Sequence, residues 1–321
     1  MRAVHGKDGS ANARGRLVGA GLVLLSAVGF SVKAVLAKLI YRHGVDALTV
    51  LAFRMLFSLP FYLVVGFVTS RTAEPLRRGE LARVLGLGLV GYYLASYLDF
   101  RGLEHVTAGL ERLVLFLYPT IVVVLSYFVH GRKLGKRDGF SLALSYGGIA
   151  LVFAGDVGSL GQGDVALGGG LVFGSAVAYA CYLVGSGPLV LRLGPLRFTA
   201  FAMTVSSVAS VGHFLLSNRG RLPPLADEAI LLLVAMALFA TVLPTFLQAE
   251  GLRRVGPSDA AMIGAIGPVV TIFLGAVFLD EPVHVEELFG TVLVLGGVLL
   301  VSIPPKPKAP RELARTERSG T

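Results

Sequence analysis

The amino-acid sequence predicts an all-α polytopic membrane protein of ten transmembrane helices, arranged as two inverted five-helix repeats. Three observations predict it: too few charges for a water-facing surface, ten apolar runs of spanning length, and self-similarity at one constant offset. Of the 321 residues, 54% are hydrophobic and only 15% charged, against about 25% charged in a typical soluble domain. The mean hydropathy is +0.74. The 41 glycines suit close helix packing in lipid. A net charge of +9 in a soluble protein would suggest nucleic acid. Here the basic residues occupy short loops and tails, so membrane topology accounts for them and no nucleic-acid partner is expected. Cys181 is the single cysteine, so no intrachain disulfide can form.

A spanning helix needs about 20 mostly apolar residues. Runs of that kind lie at 17–41, 46–69, 81–102, 107–129, 138–155, 165–190, 196–217, 228–250, 257–279 and 286–304. The first is too long for the apolar core of a signal peptide and is read as an uncleaved helix after a polar, basic segment 1–16. Asp46 and Thr107 stand where N-caps belong. Pro257 follows Gly256 as a first-turn proline does, and Pro304 and Pro305 stop the last helix. With the N-terminus inside, 21 of the 29 Lys and Arg residues fall on the inner side and four on the outer. That bias predicts that both termini are cytoplasmic, and the expected location is a bacterial inner membrane. The tail 305–321 is polar, contains proline and is expected to be disordered.

The repeat is visible at an offset of 149 residues. Gly102-Leu103 matches Gly251-Leu252, Val106 matches Val255, Pro119 matches Pro268, and Gly147-Gly148 matches Gly296-Gly297. Ser26-Ala27-Val28 likewise matches Ser175-Ala176-Val177. The offset holds from the first helix of each copy to the fifth, giving repeats at 17–155 and 165–304. Because five is odd, the second copy enters the membrane from the opposite side. The copies are then related by a pseudo-two-fold axis in the membrane plane, the architecture of many secondary transporters, with a site near the midplane between them.

The paired stretches 102-GLEHVTAGLERLVLFLYP-119 and 251-GLRRVGPSDAAMIGAIGP-268 carry a family resemblance. Each leads through a polar turn, the second containing Asp280-Glu281-Pro282, into a Gly-Gly-containing helix. On these residues the chain resembles the EamA branch of the drug/metabolite transporter superfamily over about residues 16–302. The resemblance implies ten helices, cytoplasmic termini and a central cavity between the halves. The chain departs from it at Gly131-Arg132-Lys133, where the second copy has the acidic turn.

Ionisable residues inside a span are costly and mark functional candidates. Lys33 stands eight residues from the outer end of its helix, about 12 Å deep. Arg54 is at similar depth, Asp99 is near the outer end of the third span, and Glu111 and Arg112 are in the first turns of the fourth. Lys38 is close enough to the surface to snorkel. At the repeat offset, Lys33 becomes Tyr182, Asp99 becomes Gln248, and Glu111-Arg112 becomes Ala260-Ala261. The charges are therefore not a requirement of the fold. Structural roles compete with this reading: Glu111 complements a helix dipole, Asp99 pairs with Arg101 or Arg54, and Arg54 anchors packing. Lys33 shares a face with Ser26 and Phe30, Tyr92 and Ser96 share one with Asp99, and Tyr93, Tyr97 and Phe100 share the next. Tyr179 and Tyr182 are candidates for the inner side of the site. Pro119, Pro244 and Pro268 are hinge candidates, since each removes a helix hydrogen bond. His213 is read as incidental.

These residues predict a secondary transporter, operating as an exporter of small metabolites such as amino acids or related amphipathic solutes by alternating access. Protons are a candidate coupling ion through Glu111 or Asp99. No cofactor and no metal are expected: the sequence has no phosphate loop, H-E-x-x-H pair or nucleophile elbow. An intramembrane enzyme would need a paired nucleophile and base, and a sensor or scaffold would need more polar surface than the tails supply.

Overall fold

The computed structural model describes residues 5–71, 73–131, 135–160 and 162–302. The C-terminal tail, Pro304, Pro305 and the Arg132-Lys133 part of the first-repeat turn lie outside the described residues. The ten helices are α1 (His5–Arg42), α2 (Ala47–Ser70), α3 (Arg78–Leu103), α4 (108–130) and α5 (Lys136–Leu160) of the first repeat. The second repeat contributes α6 (Gln162–Leu193), α7 (Pro195–Ser217), α8 (Asp227–Val255), α9 (257–278) and α10 (Val285–Ser302). All ten are long and apolar enough to cross a membrane, and no strand occurs among the described residues. Large apolar side chains such as Phe67, Phe128, Leu191 and Phe289 stand exposed around the bundle. In water such a belt would drive aggregation; in a bilayer it is the solvated surface.

The helices start where local chemistry dictates. Asp46 Oδ1 accepts the Thr49 N–H at 2.8 Å and caps α2. Thr107 Oγ1 accepts the Leu110 N–H at 3.1 Å and caps α4. Gly256 takes φ +82° ahead of the Pro257 first turn, a backbone conformation in which a Cβ would be strained.

The two repeats interlock rather than sit side by side. The principal helix pairings all join one repeat to the other: α1 with α8 and α9, α6 with α3 and α4, α2 with α7, and α5 with α10. This is the pattern a two-fold exchange of repeats requires, because α1 on α8 becomes α6 on α3. The glycines obey the same symmetry. A Cβ on Gly251 would stand 3.1 Å from the Gly19 carbonyl and 2.6 Å from Val23; one on Gly102 would stand 2.8 Å from the Gly168 carbonyl and 2.6 Å from Val172. All three pairs are related by the 149-residue offset, so the sequence match is the record of one backbone-to-backbone contact made twice.

Four spans are interrupted, and these interruptions are paired as well. α4 breaks into Ala108–Leu115 and Tyr118–His130 just before Pro119, and α9 into Pro257–Gly264 and Ile266–Phe278 just before Pro268. α3 carries a π-helical turn at Leu89–Leu94 and α8 one at Leu238–Val242. Proline foretells the first pair. The second pair has only Pro244, just after the turn in α8, and no proline in α3. Pro60 and Pro188 sit inside continuous helices, so proline alone does not decide where a span breaks.

Candidate functional site

The buried charges converge. α1 carries Lys33, α3 carries Asp99 and α4 carries Glu111, and Lys33 Nζ donates to both Asp99 Oδ2 and Glu111 Oε1, the latter at 3.0 Å. Glu111 is 0% and Asp99 4% exposed, so this is an ion triad removed from water. Lys33 is the only cationic donor to either carboxylate among the described residues, and Asp99 Oδ1 and Glu111 Oε2 have no hydrogen-bond partner. The expected pairing of Asp99 with Arg101 or Arg54 is corrected: Arg101 pairs with Glu104 at 2.7 Å. Arg54 reaches Ser96 Oγ at 3.2 Å and Thr241 Oγ1 at 3.5 Å, and its guanidinium lies 4.8 Å from the Phe100 ring centroid. Ser96 thus serves Arg54, linking α2 to α3, while Thr241 draws in the π turn of α8.

A row of aromatic rings lies near Arg112, the residue after Glu111 in α4. Tyr118 on α4 meets Tyr179 on α6 edge to face at 5.2 Å, and Tyr179 stacks on Tyr182 at 5.6 Å. Tyr182 meets Tyr92 at 4.9 Å, and its hydroxyl donates to the Tyr92 hydroxyl at 3.1 Å. The π turn of α3 contains Tyr92, and Gly91 beside it lies directly against the Tyr182 ring. The widened turn and the missing side chain seat the α3 and α6 tyrosines together. Lys33 and Tyr182 occupy equivalent places in the two repeats, so exchange of the halves sets an ionic side against an aromatic one.

Other expectations come out differently. Ser26 does not face the triad; its hydroxyl donates to the Pro244 carbonyl at 2.8 Å and ties α1 to α8. Lys38 does more than snorkel, pairing with Glu281 across the repeats at 3.0 Å. His213 is not isolated: its Nδ1 lies 2.8 Å from the Tyr93 hydroxyl, and its ring packs on Tyr97.

Sequence reading missed the acids at the start of α4. Glu281 accepts the Ala108 N–H with both oxygens, at 3.1 and 3.0 Å. Asp156 accepts the Thr107 hydroxyl at 2.7 Å, and Glu287 lies against Gly109. Glu281 is 173 residues from its backbone partner, so no local pattern could show the contact. A groove of about 180 Å³ lies at the opposite face, where α1 begins and α10 ends, lined by residues including Thr69, Arg197, Glu250 and Arg253. No cluster of His, Cys, Asp and Glu among the described residues could hold a metal ion.

Ten spans in two interlocked inverted repeats are the architecture of many secondary transporters. The chain belongs to the EamA-like transporter family, whose model matches residues 17–154 and again 166–303. It is 32% identical over 285 residues to the Bacillus subtilis protein named uncharacterized transporter YcbK, covering 87% of this chain and 89% of that one. It is 23% identical over 312 residues to the Synechocystis protein named uncharacterized transporter sll1319, covering 89% and 93%. A solved crystal structure superposes with a TM-score of 0.62 at 17% identity over 96% of this chain and 99% of that one, a likeness of fold.

Proposed function

We propose that this transporter is a secondary carrier that exports small metabolites, such as amino acids or related amphipathic solutes, by alternating access between its two repeats. The observation that carries the reading is the buried Lys33–Asp99–Glu111 triad, joined through Arg112 in the same helix as Glu111 to a tyrosine row contributed by both repeats. Charges placed in a membrane interior without need of the fold are functional candidates. A solute with a polar head and an apolar or planar body matches both halves of this site. The paired breaks before Pro119 and Pro268 are the hinges, because each half-helix can swing without breaking regular hydrogen bonds.

Export is supported by the closing contacts. Lys38–Glu281 crosses between the repeats on one face, while the groove near Arg197 and Glu250 lies on the other, where α1 begins and α10 ends. With both termini cytoplasmic in an inner membrane, as the loop charges favour, solute loads from inside. Protons are the coupling ion we assign to Asp99 and Glu111, which share one lysine between two carboxylates.

Broad metabolite profiling of medium and cytosol tests this. Cells producing the protein are expected to shift at least one small metabolite outward relative to empty-vector cells. An unchanged profile overturns the proposal.

A further inference from the structure

The three cations of the site are not equivalent. Lys33 is taken up by Asp99 and Glu111. Arg54 is held by Ser96 and Thr241 and covered by Phe100. Arg112 makes no ion pair with any described carboxylate, and its Nε is buried with no hydrogen-bond partner. Yet Arg112 as a whole is only partly buried. Neither arginine pairs with a described carboxylate, and Arg54 Nε is likewise buried without a partner, but Arg54 is 5% exposed and already bonded to Ser96 and Thr241, so Arg112 is the arginine with a free, accessible face.

Its position is specific. Arg112 lies one turn before the break in α4, and its guanidinium reaches the break in α9. A Cβ built on Gly267 would stand 2.9 Å from one terminal nitrogen of Arg112, 3.4 Å from Nε and 3.5 Å from the Ser31 hydroxyl. Glycine leaves the room that the guanidinium occupies. The same guanidinium lies within electrostatic reach of the Tyr118 and Tyr179 phenols, which open the aromatic row. Pro119 and Pro268 supply no N–H, so the carbonyls of Leu115 and Gly264 lose their usual helical donor at this level. A cation with a free face, carbonyls short of donors and an apolar aromatic wall thus meet where both broken helices pass.

The geometry points to Arg112 as the anchor for a carboxylate: the solute is an organic carboxylate whose apolar body lies along Tyr118, Tyr179, Tyr182 and Tyr92. Arginine suits the role because its planar fork binds a carboxylate through two hydrogen bonds. An ammonium group on the same solute would find the freed carbonyls, so zwitterionic carboxylates fit better than simple ones. This inference rests on the transport reading and goes further by fixing the charge of the cargo and the residue that reads it.

The test is the same export profile, sorted by charge class, for wild type, Arg112→Gln, Arg112→Lys and Gly267→Ala, with membrane abundance and monodispersity in detergent measured for each. Metabolites exported by wild type are expected to carry a carboxylate. Arg112→Gln lowers their export about tenfold or more, the size of one lost charge-assisted contact, and Arg112→Lys restores part of it. Gly267→Ala displaces the guanidinium and lowers the same metabolites, which keeps the test decisive if Arg112→Gln does not fold. If no metabolite responds to wild type, the transport reading itself fails. If wild type exports only neutral or cationic metabolites, or if folded Arg112 and Gly267 variants export carboxylates at the wild-type rate, transport stands and the anchor is wrong.

Discussion

Replacing Lys33 by methionine removes the only cation among the described residues that contacts Asp99 and Glu111, and leaves their four carboxylate oxygens without a cationic donor there. Arg54 and Arg112 remain nearby but donate to neither acid. Removing one member of a buried ion pair typically costs about 3–5 kcal/mol, because the survivor stays charged in a low dielectric. Here two acids survive, so the loss for Lys33→Met is placed at the upper part of that range, about 4–5 kcal/mol. Glu111→Gln is milder, about 1–3 kcal/mol, since the Lys33–Asp99 contact persists. The triple change Lys33→Met, Asp99→Asn and Glu111→Gln removes every charge of the triad together and should recover most of what Lys33→Met loses. Equilibrium unfolding in mixed detergent micelles, followed by far-UV circular dichroism, measures all three. If Lys33→Met unfolds within about 0.5 kcal/mol of wild type, or if the triple variant is no more stable than the single, the triad is not the buried unit described.

Further outcomes are expected. Gly148→Ala should destabilise by about 1–3 kcal/mol, because its Cβ would stand 2.6 Å from the Gly290 carbonyl, whereas Gly147→Ala, with open space around it, should not; thermal unfolding of the pair separates them. Asp46→Ala removes the α2 cap and should lower stability by about 1 kcal/mol in the same assay. Under an imposed pH gradient, vesicle flux should respond in wild type and lose that response in Glu111→Gln and Asp99→Asn; an unchanged response removes both acids from coupling. Reporter fusions at either terminus should be active only in a cytoplasmic-reporting format, and activity of a periplasmic reporter would reverse the assigned orientation.

Much of the fold was legible because its causes are local or repeated. Spanning length, the caps at Asp46 and Thr107, and the glycines at Gly102 and Gly251 each follow from a few neighbouring residues, and the constant offset shows them used twice. Interleaving of the repeats was not legible, since it depends on which glycine meets which backbone. The π turn at Leu89–Leu94 was missed because its stretch reads as ordinary apolar helix, with Gly91 as the only local sign. At the site, the cost of charge in the membrane marked Lys33, Arg54, Asp99, Glu111 and Arg112 as candidates, but Asp99 was expected to pair with Arg101 or Arg54 rather than Lys33. Lys33 and Asp99 are 66 residues apart, and only packing of α1 on α3 and α4 selects that pair over Asp99–Arg101. Glu281 escaped for the same reason.

In the proposed carrier the solute passes the Lys33–Arg112 region. Counterflow in reconstituted vesicles tests this most directly, using a metabolite that the export profile identifies. Labelled solute outside should accumulate transiently in vesicles preloaded with the unlabelled solute when wild-type protein is present, and not with the folded Lys33→Met, Asp99→Asn, Glu111→Gln triple variant. Absence of counterflow with wild type, or full counterflow with the triple variant, would contradict it.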